Sequence, residues 1–274
     1  EHEEKVSEWE EKGKQGRQPR APRMPLYEAY WNGMVLPVAP FTARGFIWWQ
    51  GESNAQEADI YDELQRELVR QWRSIWNDPD MPFFLVELHN FGPPMRPTVN
   101  QEAPWPNLRE AQRRAASDEL GIYRVSVIDI KEDPPAEADW QIHPANKQLA
   151  GHRLFRAAMR VAYGDDDMIG FGPRLQSAEF KGESVLLHFD SVGDGIEPAE
   201  GQELSGFAIA GADGKFHAAQ ACKADADTVE VSAEGVVDAR VVRYNWANHP
   251  TGTLVNSAGM PAGAFEVRKE SAEE

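Results

Sequence analysis

A chain of 274 residues is long enough for one large domain or two modest ones, with room for a real core. Hydrophobic residues make up 41% of it and nine are tryptophan, which excludes a disordered chain. The net charge of −17 argues against a nucleic-acid partner, because neutralising phosphates takes a basic face. It fits a protein acting on neutral or weakly charged ligands, and equally an acidity that serves solubility alone.

Residues 1–24 are charged and end in a Pro/Arg cluster; Glu1 to Lys14 reads as a surface helix and the cluster as a linker. The opening "EHEEKVSEWEEKGKQGRQPRAPR" has no initiator Met and no signal peptide, so the chain is expected to be a piece of a longer polypeptide. Next, "GFIWWQ" (45–50) is a short apolar run bounded by glycine, the pattern of a buried strand. "IYDELQRELVRQWRSIW" (60–76) is amphipathic: Ile60, Leu64, Leu68, Trp72, Ile75 and Trp76 fall on one face, with Asp59 at its start.

"PFFLVELHN" (82–90) predicts a second buried strand, "NLREAQRRAASDEL" (107–120) a second helix capped by Asn107, and "YRVSVIDI" (123–130) a third strand. "ANKQLAGHRLFRAAMRVAYG" (145–164) predicts a third helix, closed by Gly164. Strands separated by helices imply right-handed crossovers and a parallel sheet. Past Gly170 the pattern changes to short strands such as "SVLLHF", "GFAIAG", "TVEVSAE" and "ARVVRYNW", with Gly/Asp turns between them. The expected layout is a charged leader (1–24), an α/β domain with helices on both faces of a parallel sheet (25–168), a small all-β, sandwich-like domain (169–269) and a tail (270–274). Cys222, the single cysteine, allows no intrachain disulfide and is expected to be a small core residue. No stretch is long and apolar enough to span a membrane.

In an open parallel sheet, ligands bind beyond the C-terminal ends of the strands. The first strand ends in Gln50, Gly51, Glu52 and Asn54, and the second in Glu87, His89 and Asn90. The third is followed, after a loop, by Asp139 and His143 just before a helix. Three crossovers thus deliver carboxamides, carboxylates and histidine to one rim. His143 is followed by Pro144, which suits a first helical turn, so the ring would be held stiffly at the helix mouth. That placement serves a general base, and equally a histidine that merely caps the helix. His89, at a strand end, reads as structural or supporting, and His188, His217 and His249 as surface or packing residues. No histidine pair has metal-ligand spacing and one cysteine offers no thiolate cluster, so neither a metal nor another cofactor is expected.

Ser53 sits at a strand-to-helix turn, where hydrolases place nucleophiles, but the nucleophile elbow asks for G-x-S-x-G and Ala55 stands at the second glycine. "NAQEAD" also intervenes before the helical pattern, so a locally bonded turn serine is the commoner case.

"GFIWWQGESNA" resembles the Gly-x-x-Trp-x-Gln-Gly-Glu-Ser-Asn block of the sialate O-acetylesterase and acetylxylan esterase branch of the SGNH hydrolases. Further blocks resemble the same family in order: Asn32, Gly33, Met34 and Pro37 of the approach segment, "PFFLVEL", "LREAQ", "IHPANKQLAGHRL" and "VVRYNWANHPTGTLVNSAGMPAGAF". The family's nucleophilic serine lies in an upstream Gly-Gln-Ser-Asn turn, and no "GQSN" occurs in these residues. The resemblance therefore implies a C-terminal portion of such an esterase, completed by an upstream segment of the same polypeptide.

It implies further that His143 is the general base and that the Gln50–Gly51–Glu52–Asn54 turn supplies oxyanion and positioning contacts. Members often place an aspartate two or three residues before the histidine. Gln141 and Trp140 stand there, which leaves Asp139 or a backbone carbonyl to orient the ring. Glu87 stands where the family strand usually has Gln. The implied substrate is an O-acetylated sugar or polysaccharide, with no nucleic-acid or membrane partner, and the implied location is periplasmic or secreted. Tyr244, Trp246, Phe207 and Phe216 are either a sugar platform or core. Two other functions compete with the esterase: a non-catalytic carbohydrate-binding or scaffolding protein on the same fold, and an enzyme using Ser53 as a new nucleophile.

Overall fold

The computed structural model describes residues 2–14, 27–39, 41–95, 103–130, 143–144 and 146–270. The backbone divides into two compact units, Glu1–Thr42 and Ala43–Glu274. The first carries helix α1 (His2–Glu11) and a short helix α2 (Tyr27–Tyr30) that widens to π geometry over Trp31–Val35 and ends in a 3-10 turn over Leu36–Val38.

The second unit opens with strand β1 (Phe46–Trp48), a 3-10 turn over Glu52–Glu57 and helix α3 (Ala58–Trp76). Strand β2 (Phe83–Val86), helix α4 (Pro104–Ala115), strand β3 (Ile122–Val125) and helix α5 (Lys147–Ala162) follow. The strands pair in parallel in the order β1–β2–β3, with Phe46 opposite Phe83 and Phe83 opposite Ile122. All four residues of β2 are buried, as a central strand covered on both faces requires. Alternate side chains choose the layer. Phe46, Trp48, Phe83, Leu85 and Ile122 pack with Val69 and Trp72 of α3 and Ala115 of α4. Phe84, Val86 and Val125 pack with Ala150, Leu154 and Ala157 of α5. This is the expected α/β arrangement with helices on both faces.

The helix starts differ from the sequence pattern, each for a local reason. In α3 the first two turns bury Tyr61 and Gln65 and leave Ile60 and Leu64 about half exposed. The Tyr61 hydroxyl has backbone and side-chain partners at the end of β1, and those bonds outweigh the apolar stripe there. Helix α4 begins at Pro104, where a missing N–H costs nothing, so Asn107 lies inside the helix instead of capping it. Helix α5 is capped by Asn146, whose side chain accepts the Leu149 N–H at 3.3 Å, so Pro144 precedes the cap.

The remaining strands are β4 (Arg174–Lys181), β5 (Ser184–Asp190), β6 (Ile196–Pro198), β7 (Phe207–Ala210), β8 (Phe216–Ala218), β9 (Gln220–Asp225), β10 (Thr228–Ser232), β11 (Val241–Tyr244), β12 (Leu254–Asn256) and β13 (Phe265–Arg268). They form two antiparallel four-stranded sheets, ordered β4–β5–β10–β9 and β13–β11–β7–β8, and a small β12–β6 pair. Val185, Leu187, Val229 and Val231 from one sheet and Phe207, Ile209, Val242, Tyr244 and Phe265 from the other share one core. Phe207 and Tyr244 are therefore core residues and line no platform. Cys222 is exposed, against expectation, because its neighbour Ala221 takes the inward position on β9.

The sheet layers are tied by buried polar contacts. Glu87 is fully buried at the end of β2, where it accepts the Ala264 N–H at 2.8 Å and faces the Arg124 guanidinium at 3.3 Å. Glu87 is thus a strut between the parallel sheet and the β region. Arg124 also donates to the Ala264 carbonyl at 2.8 Å.

Candidate active site

The rim forms where β1 and β2 end. Gly51 turns the chain sharply, with φ +147°, and a Cβ there would stand 2.6 Å from Leu108 Cδ2. Only glycine takes that conformation at that distance without strain. Gln50 is held from three directions. The Tyr61 hydroxyl lies 3.0 Å from its backbone carbonyl and 2.9 Å from its Oε1. Gln112 Nε2 donates to the same carbonyl at 3.3 Å, and Gln50 Nε2 donates to Asn54 Oδ1 at 2.7 Å. Burial, reinforced by the nearby Glu52 carboxylate, pushes the Tyr61 hydroxyl well above the usual tyrosine range, so it stays a donor. Asn54 is fixed in turn, its N–H on the Gly51 carbonyl at 2.9 Å and its Nδ2 on Glu57 at 3.1 Å. Glu52 is half-exposed and has no hydrogen bond or ion pair among the described residues, which makes it the free carboxylate of the turn. Ser53 is exposed on the 3-10 turn with no histidine bonded to it among the described residues.

The end of β2 is clamped by α4. Gln112 Oε1 accepts the Leu88 N–H at 2.8 Å while its Nε2 donates to Val86. Arg109 has no exposed surface. Its guanidinium donates to the carbonyls of Leu88 (2.7 Å), His89 (3.0 Å), Ala247 (2.7 Å) and Asn248 (3.1 Å) and to Asn90 Oδ1 (3.2 Å). Burial pulls its pKa down to about 10, which leaves it charged at neutral pH. Trp105 Nε1 adds a second donor to the His89 carbonyl, at 2.7 Å.

His89 is 5% exposed. Burial, and then the electrostatic influence of Arg109, Lys147, His249 and His143, pulls its pKa down to about 3. The same influence puts His143 within electrostatic reach of His89. His143 itself is exposed, ahead of the Asn146 cap. At the first residue of α5, Lys147 Nζ lies 4.4 Å from the centre of the ring of Trp49, the residue before Gln50. The start of α5 therefore borders the Gln50 turn. Asp139, Trp140 and Gln141 lie outside the described residues.

A groove of about 680 Å³ opens beside the turn, lined among others by Ala55, Gln56, Asp59, Asn107, Arg243 and Trp246. Arg243 is stacked between Phe216 and Trp246, 4.0 and 4.4 Å from their ring centres, and paired with Glu266 at 2.6 Å. Among the described residues, no group of three or more His, Cys, Asp or Glu side chains is placed to hold a metal ion. No helix among them is long and apolar enough to cross a membrane.

Reading the sequence for polar residues at strand ends finds Gln50, Glu52, Asn54 and His89 but misses Tyr61, Arg109 and Gln112, which hold them. Arg109 and Gln112 are the second and fifth letters of "LREAQ". Their spacing of three puts both on one face of α4, and that was the available signal.

A family model described as carbohydrate esterase, sialic acid-specific acetylesterase, matches residues 4–160. The sialate O-acetylesterase of Mus musculus is 27% identical over 174 residues, covering 59% of this chain and 31% of that protein. Its Homo sapiens counterpart is 25% identical over 176 residues, covering 59% and 32%. The solved structure of a carbohydrate acetylesterase from Xanthomonas citri superposes with a TM-score of 0.75 at 35% identity, covering 86% of this chain and 53% of that one. The chain thus spans about a third of the length of these curated relatives and about half of that solved chain.

Proposed function

Because the chain belongs to the sialic acid-specific acetylesterase family of carbohydrate esterases, we propose that it forms the general-base and oxyanion side of a serine esterase acting on O-acetylated sugars. The observation that carries this reading is the convergence of the locked Gln50–Asn54 turn, the end of β2 and the start of α5 at one rim. In the proposed reaction a serine hydroxyl attacks the acetyl carbonyl and His143 takes its proton. The tetrahedral oxyanion is held by donors of the Gln50–Gly51–Glu52–Asn54 turn. Collapse expels the sugar oxygen, which His143 protonates. Water then repeats the cycle and releases acetate. Asp139 is the proposed orienter of His143.

The serine is proposed to come from a segment outside these 274 residues, since none of them forms the Gly-Gln-Ser-Asn turn. The exposed edge of β1 supports this. Ile47 is 59% exposed in the middle of an apolar strand, and β1 ends the sheet among the described residues. A further parallel strand on that edge would finish at the same rim and bring its following turn beside Gln50.

The test is acetate release from 9-O-acetylated sialic acid by the polypeptide that carries both this chain and the serine. His143→Ala is expected to lower kcat by at least about a hundredfold, as loss of a general base does. An unchanged rate removes His143 from the role. The absent Gly-Gln-Ser-Asn turn also favours a second reading, a non-catalytic carbohydrate binder, which would retain acetylated sugar and release no acetate.

A further inference from the structure

We propose that Glu57 is a positioning residue of this site: it ends a head-to-tail chain of hydrogen bonds, Tyr61–Gln50–Asn54–Glu57, and so fixes which end of the Asn54 carboxamide faces Gln50 and which is left to the oxyanion. The inference rests on the esterase reading and adds a residue to which that reading gives no task.

The chain of bonds closes a ring. Glu57 and Tyr61 stand four residues apart where α3 begins, Glu57 as its N-cap residue, and the bonds between them run out to the end of β1 and back. The Tyr61 hydroxyl lies 2.9 Å from Gln50 Oε1, Gln50 Nε2 lies 2.7 Å from Asn54 Oδ1, and Asn54 Nδ2 lies 3.1 Å from Glu57 Oε2. Gly51 leaves room for the ring, since a Cβ there would stand 3.3 Å from the Tyr61 oxygen. Glu57 is not otherwise engaged. Its side chain makes no capping bond to the α3 backbone and no other hydrogen bond or ion pair among the described residues.

The direction of the chain follows from what its ends can do. A carboxamide has an oxygen that accepts and a nitrogen that donates, on two arms of nearly the same shape. The middle of the chain can therefore run either way. Reversed, Asn54 Nδ2 would donate to Gln50 Oε1 and Gln50 Nε2 to the Tyr61 oxygen. The Tyr61 hydrogen would then turn to the Gln50 backbone carbonyl, 3.0 Å away. Tyrosine suits both directions, because a hydroxyl both donates and accepts. An ionised carboxylate only accepts, so it takes Asn54 Nδ2 and repels Oδ1. Glu57 is thus the member that chooses the direction. With that choice made, all three bonds donate the same way round, and each strengthens the next. Asn54 Oδ1 is then taken by Gln50, while Nδ2 keeps a second N–H with no partner among the described residues. An oxyanion is held by donors and repelled by a carbonyl oxygen, so the direction of the chain decides whether Asn54 helps or hinders the reaction.

Two measurements decide it. Neutron diffraction from a deuterated crystal of the 274-residue chain distinguishes nitrogen from oxygen and shows the hydroxyl deuteron. The expected map has the Asn54 nitrogen facing Glu57, the Gln50 nitrogen facing Asn54, and the Tyr61 deuteron on Gln50 Oε1. Either carboxamide the other way round overturns the proposal. The second measurement uses the polypeptide that carries the serine, with Glu57 replaced by lysine, which only donates, or by glutamine, which can still accept. Glu57 is exposed, so both variants are expected to keep the wild-type urea midpoint. Glu57→Lys turns the chain round and is expected to lower kcat for 9-O-acetylated sialic acid about tenfold, with KM within about twofold of wild type. Charge alone predicts the opposite, because a cation near the turn would favour the oxyanion. Glu57→Gln should recover to within about threefold of wild type. A Glu57→Lys enzyme within about threefold of wild type, or a Glu57→Gln enzyme as slow as Glu57→Lys, also overturns it. If the wild type releases no acetate at all, the esterase reading fails, and the neutron map still decides which way the chain runs.

Discussion

Replacing Arg109 with methionine tests whether α4 clamps the site by a single buried cation. The guanidinium reaches five acceptors at 2.7–3.2 Å. Two of them keep another donor after the change: the His89 carbonyl retains Trp105 Nε1, and the Asn248 carbonyl retains the Phe91 N–H. The Leu88 carbonyl, the Ala247 carbonyl and Asn90 Oδ1 have no second donor among the described residues. Stranding a buried acceptor costs about 1–3 kcal/mol, so three of them cost roughly 3–9 kcal/mol. Methionine fills most of the volume and removes the cost of desolvating a charge on folding, which offsets several kcal/mol of that sum. The net expectation for Arg109→Met is a loss of about 3 kcal/mol, read by urea unfolding at neutral pH from the shift in midpoint at unchanged slope. Amide exchange should accelerate at Leu88–Asn90 and also at 245–250, because the same guanidinium spans both segments. A loss under about 1 kcal/mol, or faster exchange on the β2 side alone, refutes the clamp.

Gly51→Ala is expected to cost about 2–4 kcal/mol by the same assay, from a residue forced to φ +147° and a methyl driven into Leu108; a loss below about 0.5 kcal/mol contradicts the built turn. His89 gives a pH dependence of fixed sign. Its folded pKa of about 3 lies below the ordinary 6.5, so the unfolded chain binds the extra proton and stability falls as pH drops through that window. Relative to His89→Gln, the wild type should lose about 2 kcal/mol between pH 7 and pH 5, and parallel curves for the two proteins mean that the ring titrates normally. Asn146→Ala should lose about 1 kcal/mol with its cap, and an unchanged midpoint places the start of α5 elsewhere.

The elements of the α/β layer were legible because their periods are clean. β2 reads as four consecutive apolar residues and is buried on both faces, and the helices between the strands follow from amphipathic spacing. The first turns of α3 were not legible. The apolar stripe runs through Ile60 and Leu64, yet Tyr61 and Gln65 face inward. One phenolic hydroxyl with partners at Gln50 fixes the rotation of the helix there, and hydrophobic spacing carries no information about that bond. The start of α4 escaped for a related reason: Pro104 and Asn107 each suit a helix start, and the backbone chose the residue with no N–H to leave unpaired.

The site divides in the same way. Residues that present chemistry could be found at strand ends, because topology alone sends Gln50, Glu52, Asn54 and His89 to the rim. The residues that hold them could not, because their partners are mostly main-chain carbonyls. Arg109 bonds Leu88, His89, Ala247 and Asn248 through atoms that every residue possesses, so no side-chain identity at those four positions advertises the contact. Two of the four lie almost 140 positions away along the chain. An arginine on an amphipathic helix is ordinarily assigned to the solvated face, and burying one takes a ring of acceptors that only the folded chain assembles. The β region is therefore more than an appendage to this site. By supplying two of the five acceptors, the turn after β11 helps make a fully buried guanidinium tolerable, and that guanidinium fixes the segment carrying His89. A change in the 245–250 turn that withdraws those carbonyls should consequently be felt at His89 before it is felt in the sandwich core.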